Sequence, residues 1–263
     1  MTRPGCEDTV VIANRNLRHG YHALTLGHFR RAVGCRPGQF VHVRIPSDKV
    51  FFRRAFSVAG ITVSGGIEII LKVVGRGTQV LAGLHRGTVV NLLGPLGKPF
   101  RLPLKNETTL MVAGGVGFPP LLFLAAEMIN RGCNPKQIVF FYGGRSAADV
   151  IGRSRLKRLG VVFRPVTENG SLGETGLVTE PVHEFMTTHS DQQLRIYACG
   201  PPGMLKVVDQ LGRSLGVPGQ LSLEAPMPCG LGLCLGCVVP LTDGGQARVC
   251  SDGPVFNIGE VAL

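Results

Sequence analysis

The chain has 263 residues, a hydrophobic fraction of 44% and a formal net charge of +11 at pH 7. This length suits two compact domains and a small appendage, and the composition excludes collagen-like and low-complexity chains. The basic residues are scattered, few aromatic residues lie between them, and only one of them follows Gly216. We therefore expect a solvated basic surface that favours anionic cofactors and no nucleic-acid partner, with RNA binding as the alternative that charge alone leaves open.

Neither a leader nor a membrane span is expected. Residues 1–6 do not begin the apolar run and small-residue cleavage site of a signal peptide. No stretch approaches the roughly 18 uninterrupted apolar residues of a spanning helix. We expect a cytoplasmic protein whose eight cysteines stay reduced instead of forming disulfides.

Residues 1–103 are predicted to form an antiparallel β-barrel. Residues 39–45 alternate polar and apolar side chains, as a half-buried strand does. Strand-like segments follow at residues 56–62, 66–74 and 88–93, separated by glycine and proline turns, with a short helix over residues 78–84.

Two motifs in this barrel suit FAD. The first is Arg54-Ala55-Phe56-Ser57, which offers a cation for a pyrophosphate, a ring to cover the flavin and a hydroxyl to hydrogen-bond it. The second contains Gly77-Thr78 and leads into the short helix, whose N–H groups suit the same pyrophosphate. Either motif alone could be structural, but together, ahead of a nucleotide-binding type of domain, they predict a flavin site.

Residues 104–217 are predicted to form an α/β domain with a parallel sheet. β-branched and aromatic runs at residues 110–113, 137–142, 160–166 and 194–198 alternate with helical patterns at residues 119–131, 147–159, 180–188 and 202–215. Strands alternating with helices indicate a parallel sheet covered on both faces.

Two turns of this domain are candidates for NAD binding. Gly114-Gly115-Val116-Gly117 follows the first strand, where glycines allow the backbone to approach a phosphate. Cys199-Gly200 follows the strand at residues 194–198, which we take as the last of the sheet, so Cys199 is expected at the carboxyl edge, where ligands bind. The alternatives are glycines that serve packing and a Cys199 that is a small buried apolar residue.

Residues 218–263 are rich in glycine, proline and cysteine and are too few to build a core of their own. Cys229, Cys234, Cys237 and Cys250 have the spacing of plant-type [2Fe–2S] ligands. Zinc is the alternative, but structural zinc sites are usually built from two short Cys-x₂-Cys turns. The sequence favours a small C-terminal [2Fe–2S] segment, and metal content separates the two interpretations.

Taken together, these motifs resemble the ferredoxin–NADP reductase superfamily over about the first 215 residues. The segment from Glu224 to Phe256 is similar to the tail of the electron-transfer subunits of B-type dihydroorotate dehydrogenases. The resemblance implies the four cysteines as cluster ligands and a set of FAD contacts comprising Arg54, Ala55, Phe56, Ser57, Leu71, Lys72, Val73, Gly77 and Thr78.

The same resemblance implies an electron-transfer role in pyrimidine biosynthesis. The family's partner is a catalytic subunit with FMN, which oxidises dihydroorotate, in a heterotetramer of two plus two chains. The segment at residues 252–256 and the glycine loop around the cluster are expected to face that partner. Two residues depart from relatives near the presumed NAD site: Pro119, where a small residue is more usual, and Glu168, where relatives carry an aspartate-type loop.

Two other functions stay open at this point. The chain could instead serve a hydrogenase, a sulfite reductase or a transhydrogenase-like complex, all of which use similar domains. A zinc-stabilised regulatory module that senses nucleotides is the non-enzymatic alternative. The preference between NADH and NADPH is also open, because Arg145 follows the second predicted strand of the sheet, where a basic residue can meet a 2′-phosphate.

Overall fold

The computed structural model describes residues 4–104 and 106–263. Its N-terminal part is a closed six-stranded antiparallel barrel with the strand order β1-β2-β5-β4-β3-β6. The strands are β1 (Gly5–Arg18), β2 (Tyr21–Gly27), β3 (Phe40–Val43), β4 (Arg54–Ile61), β5 (Ile67–Lys72) and β6 (Val89–Leu96). The short helix α1 (Arg76–Ala82) connects β5 to β6. The predicted barrel is confirmed, although the sequence analysis gave no bounds for β1 and β2.

The second part is a seven-stranded sheet in the order β10-β9-β8-β7-β11-β12-β15. Its strands are β7 (Thr108–Gly114), β8 (Ile138–Gly144), β9 (Val162–Thr167), β10 (Glu174–Thr175), β11 (Leu194–Cys199), β12 (Gly219–Ser222) and β15 (Val255–Asn257). All neighbours are parallel except β15, which is antiparallel to β12. The predicted parallel sheet is confirmed, and β11 is not its edge.

Four helices accompany this sheet: α2 (Phe118–Asn130), α3 (Arg153–Leu159), α4 (Thr179–Thr188) and α5 (Pro202–Ser214). Three agree with the predicted segments to within a residue at each end. The helix predicted from residue 147 is wrong in its first part, because α3 begins only at Arg153. Gly152 precedes it with φ of +70°, a left-handed conformation that interrupts a helix.

The cysteine-rich segment lies between the barrel and the sheet. Its ends form β12 and β15, and a hairpin of β13 (Val238–Pro240) and β14 (Gln246–Arg248) lies between them. Cys237, Cys250 and Phe256 share one apolar cluster with Phe40 and Leu96 of the barrel. The segment therefore uses the cores of both larger parts, which solves the shortage of apolar residues noted in its sequence.

No helix in residues 4–104 and 106–263 is long and apolar enough to cross a membrane. The longest helices have 13 residues.

Ion pairs join the barrel to the α/β part. The carboxylate of Glu68 on β5 accepts hydrogen bonds from Arg155 on α3, with Nη2–Oε1 at 2.7 Å, and from Arg15 on β1 at 2.6 Å. Burial opposes ionisation of Glu68, but Arg155 and then Arg15 outweigh it and hold the pKa of the carboxyl below its usual value.

Substituting Glu68→Gln should lower the free energy of unfolding at neutral pH by about 2 kcal/mol, less than for a fully enclosed pair because Arg15 is more than half exposed. Because the pKa of Glu68 is lower in the folded chain than in the unfolded chain, its carboxylate stabilises the fold fully above the unfolded pKa. This stabilisation is lost as the pH falls through the folded pKa. The difference between wild type and variant should therefore shrink in acid. Denaturant titrations at pH 7 and near pH ~4 measure it.

The matched control is Glu127→Gln, which removes an exposed pair between Glu127 of α2 and Arg131, the residue that follows the helix, and should change stability little at either pH. A Glu68→Gln deficit that is the same at both pH values would contradict the assigned role of the carboxylate.

Candidate functional site

Two cavities meet where the barrel, the sheet and the cysteine-rich segment come together. The smaller has a volume of about 250 Å³ and the larger about 610 Å³. Lys72, Val116 and Glu224 line both of them. A ligand in one cavity can therefore touch a ligand in the other, as hydride transfer between two cofactors requires.

The smaller cavity collects most of the residues predicted to bind FAD. Its lining includes Ala55, Phe56, Ser57, Leu71, Lys72 and Thr78. Three predicted residues do not line it. Val73 packs against the barrel core, and Arg54 lies beside Gly77, since a Cβ built on that glycine would be 3.4 Å from Arg54 Nε.

The start of α1 is shaped for an anion, but not through the hydroxyl of Thr78. Thr78 Oγ1 accepts hydrogen bonds from the N–H groups of Val74 and Gly75, at 3.0 and 3.2 Å, and donates to the carbonyl of Gly75. The hydroxyl thus caps the helix. The groups left for a pyrophosphate are the backbone N–H groups of the first turn and the exposed guanidinium of Arg54.

The larger cavity has the predicted glycine turns on its wall. Gly114, Gly115 and Gly200 line it. Only Gly115 has open space at its missing side chain and a positive φ of +52°. A Cβ on Gly114 would be 2.6 Å from Pro201, and one on Gly200 would be 2.7 Å from Met204. These two glycines serve close packing, and Gly115 is the one positioned for backbone approach to a ligand.

Gly117 and Cys199 form a contact between the two turns. Gly117 lines neither cavity, and a Cβ there would overlap the carbonyl of Cys199. Cys199 ends β11 and lines the smaller cavity. Burial raises the pKa of its thiol, with Glu224 adding to the effect, so the thiol is neutral near pH 7. The predicted position at the carboxyl edge is confirmed, and its role in binding stays a prediction.

A polar group of Lys72, Asp149 and Tyr21 extends from the barrel to the larger cavity; Lys72 was predicted as an FAD contact, and its two partners were not predicted. Lys72 Nζ lies 2.7 Å from Asp149 Oδ1 and 4.8 Å from the centre of the Tyr21 ring. The Tyr21 hydroxyl lies 3.3 Å from the same carboxylate oxygen. The hydrogen bond that Lys72 donates to Asp149 raises the pKa of Lys72, so the ammonium is retained between the cavities.

Glu224 was also missed as a site residue, although it begins the cysteine-rich motif. Its side chain reaches the junction of the cavities, and the surrounding protein removes enough solvent to raise the pKa of the carboxyl. Of the residues that depart from relatives, Pro119 lines the smaller cavity and Glu168 the larger, where Arg145 also lies.

The four clustered cysteines form two pairs. Cys237 Sγ and Cys250 Sγ are 3.3 Å apart and buried, and the thiol of Cys234 hydrogen-bonds the sulfur of Cys229. A [2Fe–2S] cluster needs two thiolates on each iron, whereas zinc needs all four sulfurs around one centre. Two thiol pairs are the donor set that a two-iron cluster requires, and the residues present fit that group.

Backbone N–H groups point at these sulfurs. Gly232 N lies 3.2 Å from Cys250 Sγ, and Leu231 N lies 3.4 Å from Cys229 Sγ. Burial opposes ionisation of Cys229, but hydrogen bonds from the backbone of Leu231 and its neighbours lower the pKa of the thiol to about 6. Gly230 and Gly232 have φ of +69° and +75°, the conformations that let this loop turn its amides inward.

Comparison with known families agrees with this division of the site. Residues 13–100 match the oxidoreductase FAD-binding domain and residues 111–210 the oxidoreductase NAD-binding domain. Residues 224–262 match the iron–sulfur cluster binding domain of dihydroorotate dehydrogenase B. The electron transfer subunit of dihydroorotate dehydrogenase B (NAD(+)) from Geobacillus thermodenitrificans is 37% identical, with 98% of this chain and 99% of that protein covered. The chain belongs to this family.

Other members of the family are equally similar. The subunit from Streptococcus pneumoniae strain R6 is 36% identical, with 98% of each chain covered. The predicted family is thereby confirmed, as are the predicted cofactor classes of FAD, NAD and an iron–sulfur cluster. Membership also argues against the zinc-stabilised regulatory module. A subunit of this family works with a catalytic partner subunit.

The fold of the family recurs in solved structures. The structure of an NADH-dependent reduced ferredoxin-NADP oxidoreductase superimposes with a TM-score of 0.84 at 28% identity, over 97% of this chain and 89% of that chain. A ferredoxin reductase of carbazole 1,9a-dioxygenase superimposes with a TM-score of 0.69 at 24% identity, over 82% and 67% of the two chains. The second similarity extends to the fold alone.

Proposed function

We propose that this chain carries electrons from an FMN-containing catalytic subunit, which oxidises dihydroorotate to orotate in pyrimidine (UMP) biosynthesis, to NAD⁺. In the overall reaction dihydroorotate loses two electrons and two protons; NAD⁺ takes up both electrons and one proton, and the other proton goes to solvent. The observation that supports this most strongly is the two pairs of thiols. The segment that carries them also supplies Ala225, Met227 and Pro254 to the wall of the smaller cavity.

Bound FAD would exchange hydride with the nicotinamide and single electrons with a [2Fe–2S] cluster. We assign Cys229, Cys234, Cys237 and Cys250 as the ligands of the cluster. Beside the smaller cavity, Arg54 and the first turn of α1 would neutralise the pyrophosphate, and within it Phe56, Ser57 and Leu71 would enclose the flavin. Cys199 would border the flavin in the smaller cavity, and Glu224 lies where the two cavities join.

The nicotinamide nucleotide is assigned to the larger cavity, along Gly115 and Gly200. Lys72, fixed by Asp149, places a positive charge between the two sites. The ammonium would offer a hydrogen-bond donor to an anionic cofactor at the junction of the two cavities. Arg145 and Glu168 both line the larger cavity. Arg145 would favour the 2′-phosphate of NADP, and Glu168 the bare ribose of NAD.

The cluster loop also offers a docking surface for the partner. Leu231, Leu233 and Leu235 are 47%, 78% and 62% exposed on the loop that connects the cysteines. Three exposed leucines beside a redox centre are typical of an apolar interface centre. A partner seated there would bring its FMN close to the cluster, which electron transfer requires.

Substituting Leu233→Glu should weaken the binding of the catalytic subunit by at least about tenfold, because it places a charge in the apolar interface. The cluster content of the isolated chain should be unchanged, since the side chain points to solvent. Titration calorimetry with the purified partner measures the affinity. Leu104→Glu, at a leucine with 71% exposure outside the loop, is the matched control, and equal weakening by both variants would rule out docking at the loop.

The proposed function is tested by reconstitution. The isolated chain, loaded with its cofactors, should reduce artificial electron acceptors with NADH and should not oxidise dihydroorotate. Adding the FMN-containing subunit should produce dihydroorotate-dependent reduction of NAD⁺. Oxidation of dihydroorotate by the isolated chain, or no reduction of NAD⁺ by the reconstituted pair, would refute the assignment.

A second candidate is a subunit of another electron-transferring complex. It is favoured by one observation, the TM-score of 0.84 to a reduced ferredoxin-NADP oxidoreductase, which covers nearly the whole chain. The proteins that co-purify with the native chain discriminate between the two: an FMN protein active on dihydroorotate supports the first, and a partner that reduces ferredoxin supports the second.

The assembly we propose is a cytoplasmic heterotetramer of two such chains and two catalytic subunits. A reducing cytoplasm would keep the eight cysteines as thiols, which the four proposed ligands require. Native mass spectrometry of the complex tests the stoichiometry.

A further inference from the structure

His42 is a buried histidine to which neither the family nor the proposed mechanism assigns a role. It lies on β3 of the barrel and has no exposed surface. Neither Nδ1 nor Nε2 has a hydrogen-bond partner among the described residues. A buried polar group without a partner costs about 1–3 kcal/mol, so an imidazole at this position needs a partner that the polypeptide itself does not supply.

The imidazole of His42 faces the cluster loop. A Cβ built on Gly230, the residue after Cys229, would lie 2.7 Å from Cε1 and 2.9 Å from Nε2 of the ring. Only a glycine permits this approach, which brings the ring against the backbone of the loop. Phe40, two residues earlier on the same face of β3, shares an apolar cluster with Cys237 and Cys250.

The flavin cavity is a less suitable source of the missing partner. His42 does not line this cavity. Ala55, which pairs with His42 from the adjacent strand β4, does line it. The ring is also uncharged near neutral pH, because burial and the nearby Arg53 lower its pKa to about 4. A neutral imidazole carries one N–H donor and one acceptor nitrogen.

We propose that the N–H of His42 donates a hydrogen bond to an inorganic sulfide of the cluster, on the side of the loop that carries Gly230. His42 is thus a positioning residue that sets the cluster's reduction potential. A donor to sulfur favours the reduced cluster, which carries the additional negative charge. This inference rests on the proposed cluster site.

The test compares His42→Phe, which keeps a ring but removes the donor, with His42→Gln, which keeps a donor. Potentials are measured on the full chain by redox titration with paramagnetic resonance detection. His42→Phe should lower the ratio of reduced to oxidised cluster at a fixed potential about tenfold, equivalent to about 59 mV for one electron. His42→Gln should retain most of the wild-type ratio.

His22→Phe is the matched control, because His22 also lies on a barrel strand but hydrogen-bonds Asn14 at 3.1 Å; it should not shift the potential. Pulsed paramagnetic resonance of the reduced wild-type chain should detect a nitrogen coupling that changes on labelling histidine with ¹⁵N. This second measurement uses the wild-type chain, so it tests the inference even if a variant fails to fold.

Any of four results would overturn the inference. They are an unchanged potential in His42→Phe, equal shifts in both His42 variants, no coupling sensitive to histidine labelling, and a shift in potential confined to the flavin. A wild-type chain that binds no iron would instead refute the proposed function, so the two failures are distinguishable.

Discussion

Cys237→Ala should abolish the iron–sulfur cluster and, with it, electron transfer between NADH and the partner subunit. Cys237 is buried and pairs with Cys250 at 3.3 Å. Removing it leaves one iron with a single protein thiolate, which the loop cannot replace. Iron and acid-labile sulfide should fall to background, and transfer to the partner should fall by at least about 10²-fold, because ligand loss removes the redox centre itself.

NADH-dependent reduction of small artificial acceptors should survive in this variant, since the flavin and nicotinamide cavities do not include Cys237. Cys35→Ala is the matched control, because Cys35 is equally a buried thiol, within the barrel core. It should keep full iron content. A Cys237→Ala chain that retains its cluster, or a Cys35→Ala chain that loses it, would contradict the ligand assignment.

Gly117→Ala should lower both stability and the affinity for NADH. A methyl group at this position would overlap the backbone carbonyl of Cys199, and a carbonyl at the end of a central strand cannot rotate away. The first turn of α2 must therefore separate from β11. We expect a loss of about 3 kcal/mol in the free energy of unfolding, and an increase in KM for NADH because Gly115 and Gly200 move apart.

Gly203→Ala provides the control for stability, since Gly203 lies in the first turn of α5 with open space where a Cβ would stand. It is not a control for the KM, because Gly203 also lines the larger cavity. This variant should be at least as stable as wild type, because alanine favours helix over glycine. Denaturant titration and steady-state kinetics measure both effects. If the two variants behave alike, Gly117 is not the packing contact described here.

The sequence was most informative where function depends on neighbouring residues. The proposed ligands Cys229, Cys234 and Cys237 come from a single loop, so their spacing in the sequence is enough to predict a cluster site. Helices α2 and α5 were equally predictable, because each has proline at its start and a long apolar face. The strand before Gly114 and the one ending at Cys199 are apolar and β-branched enough to be recognised.

Long-range contacts were not predictable in this way. Lys72 and Asp149 are 77 residues apart, and Tyr21 lies 128 residues before Asp149; no local pattern connects them. In strand β1 the charged Glu7 lies on the same face as the buried Thr9 and Val11, which weakens the alternation of polar and apolar residues. The strands β12 and β15 are only three or four residues long, and their strand character comes from pairing with β11 and with each other.

The chain's central property is the coupling of a nicotinamide site, a flavin site and four paired thiols within one molecule. Anaerobic addition of NADH to the purified chain, followed by paramagnetic resonance at low temperature, tests this coupling most directly. NADH should bleach the flavin absorbance and produce the signal of a reduced [2Fe–2S] cluster, and the signal should be absent from Cys237→Ala. The account is contradicted if the sample binds zinc without iron. It is also contradicted if the cluster stays oxidised while the flavin is reduced, at a potential low enough to reduce both flavin and cluster.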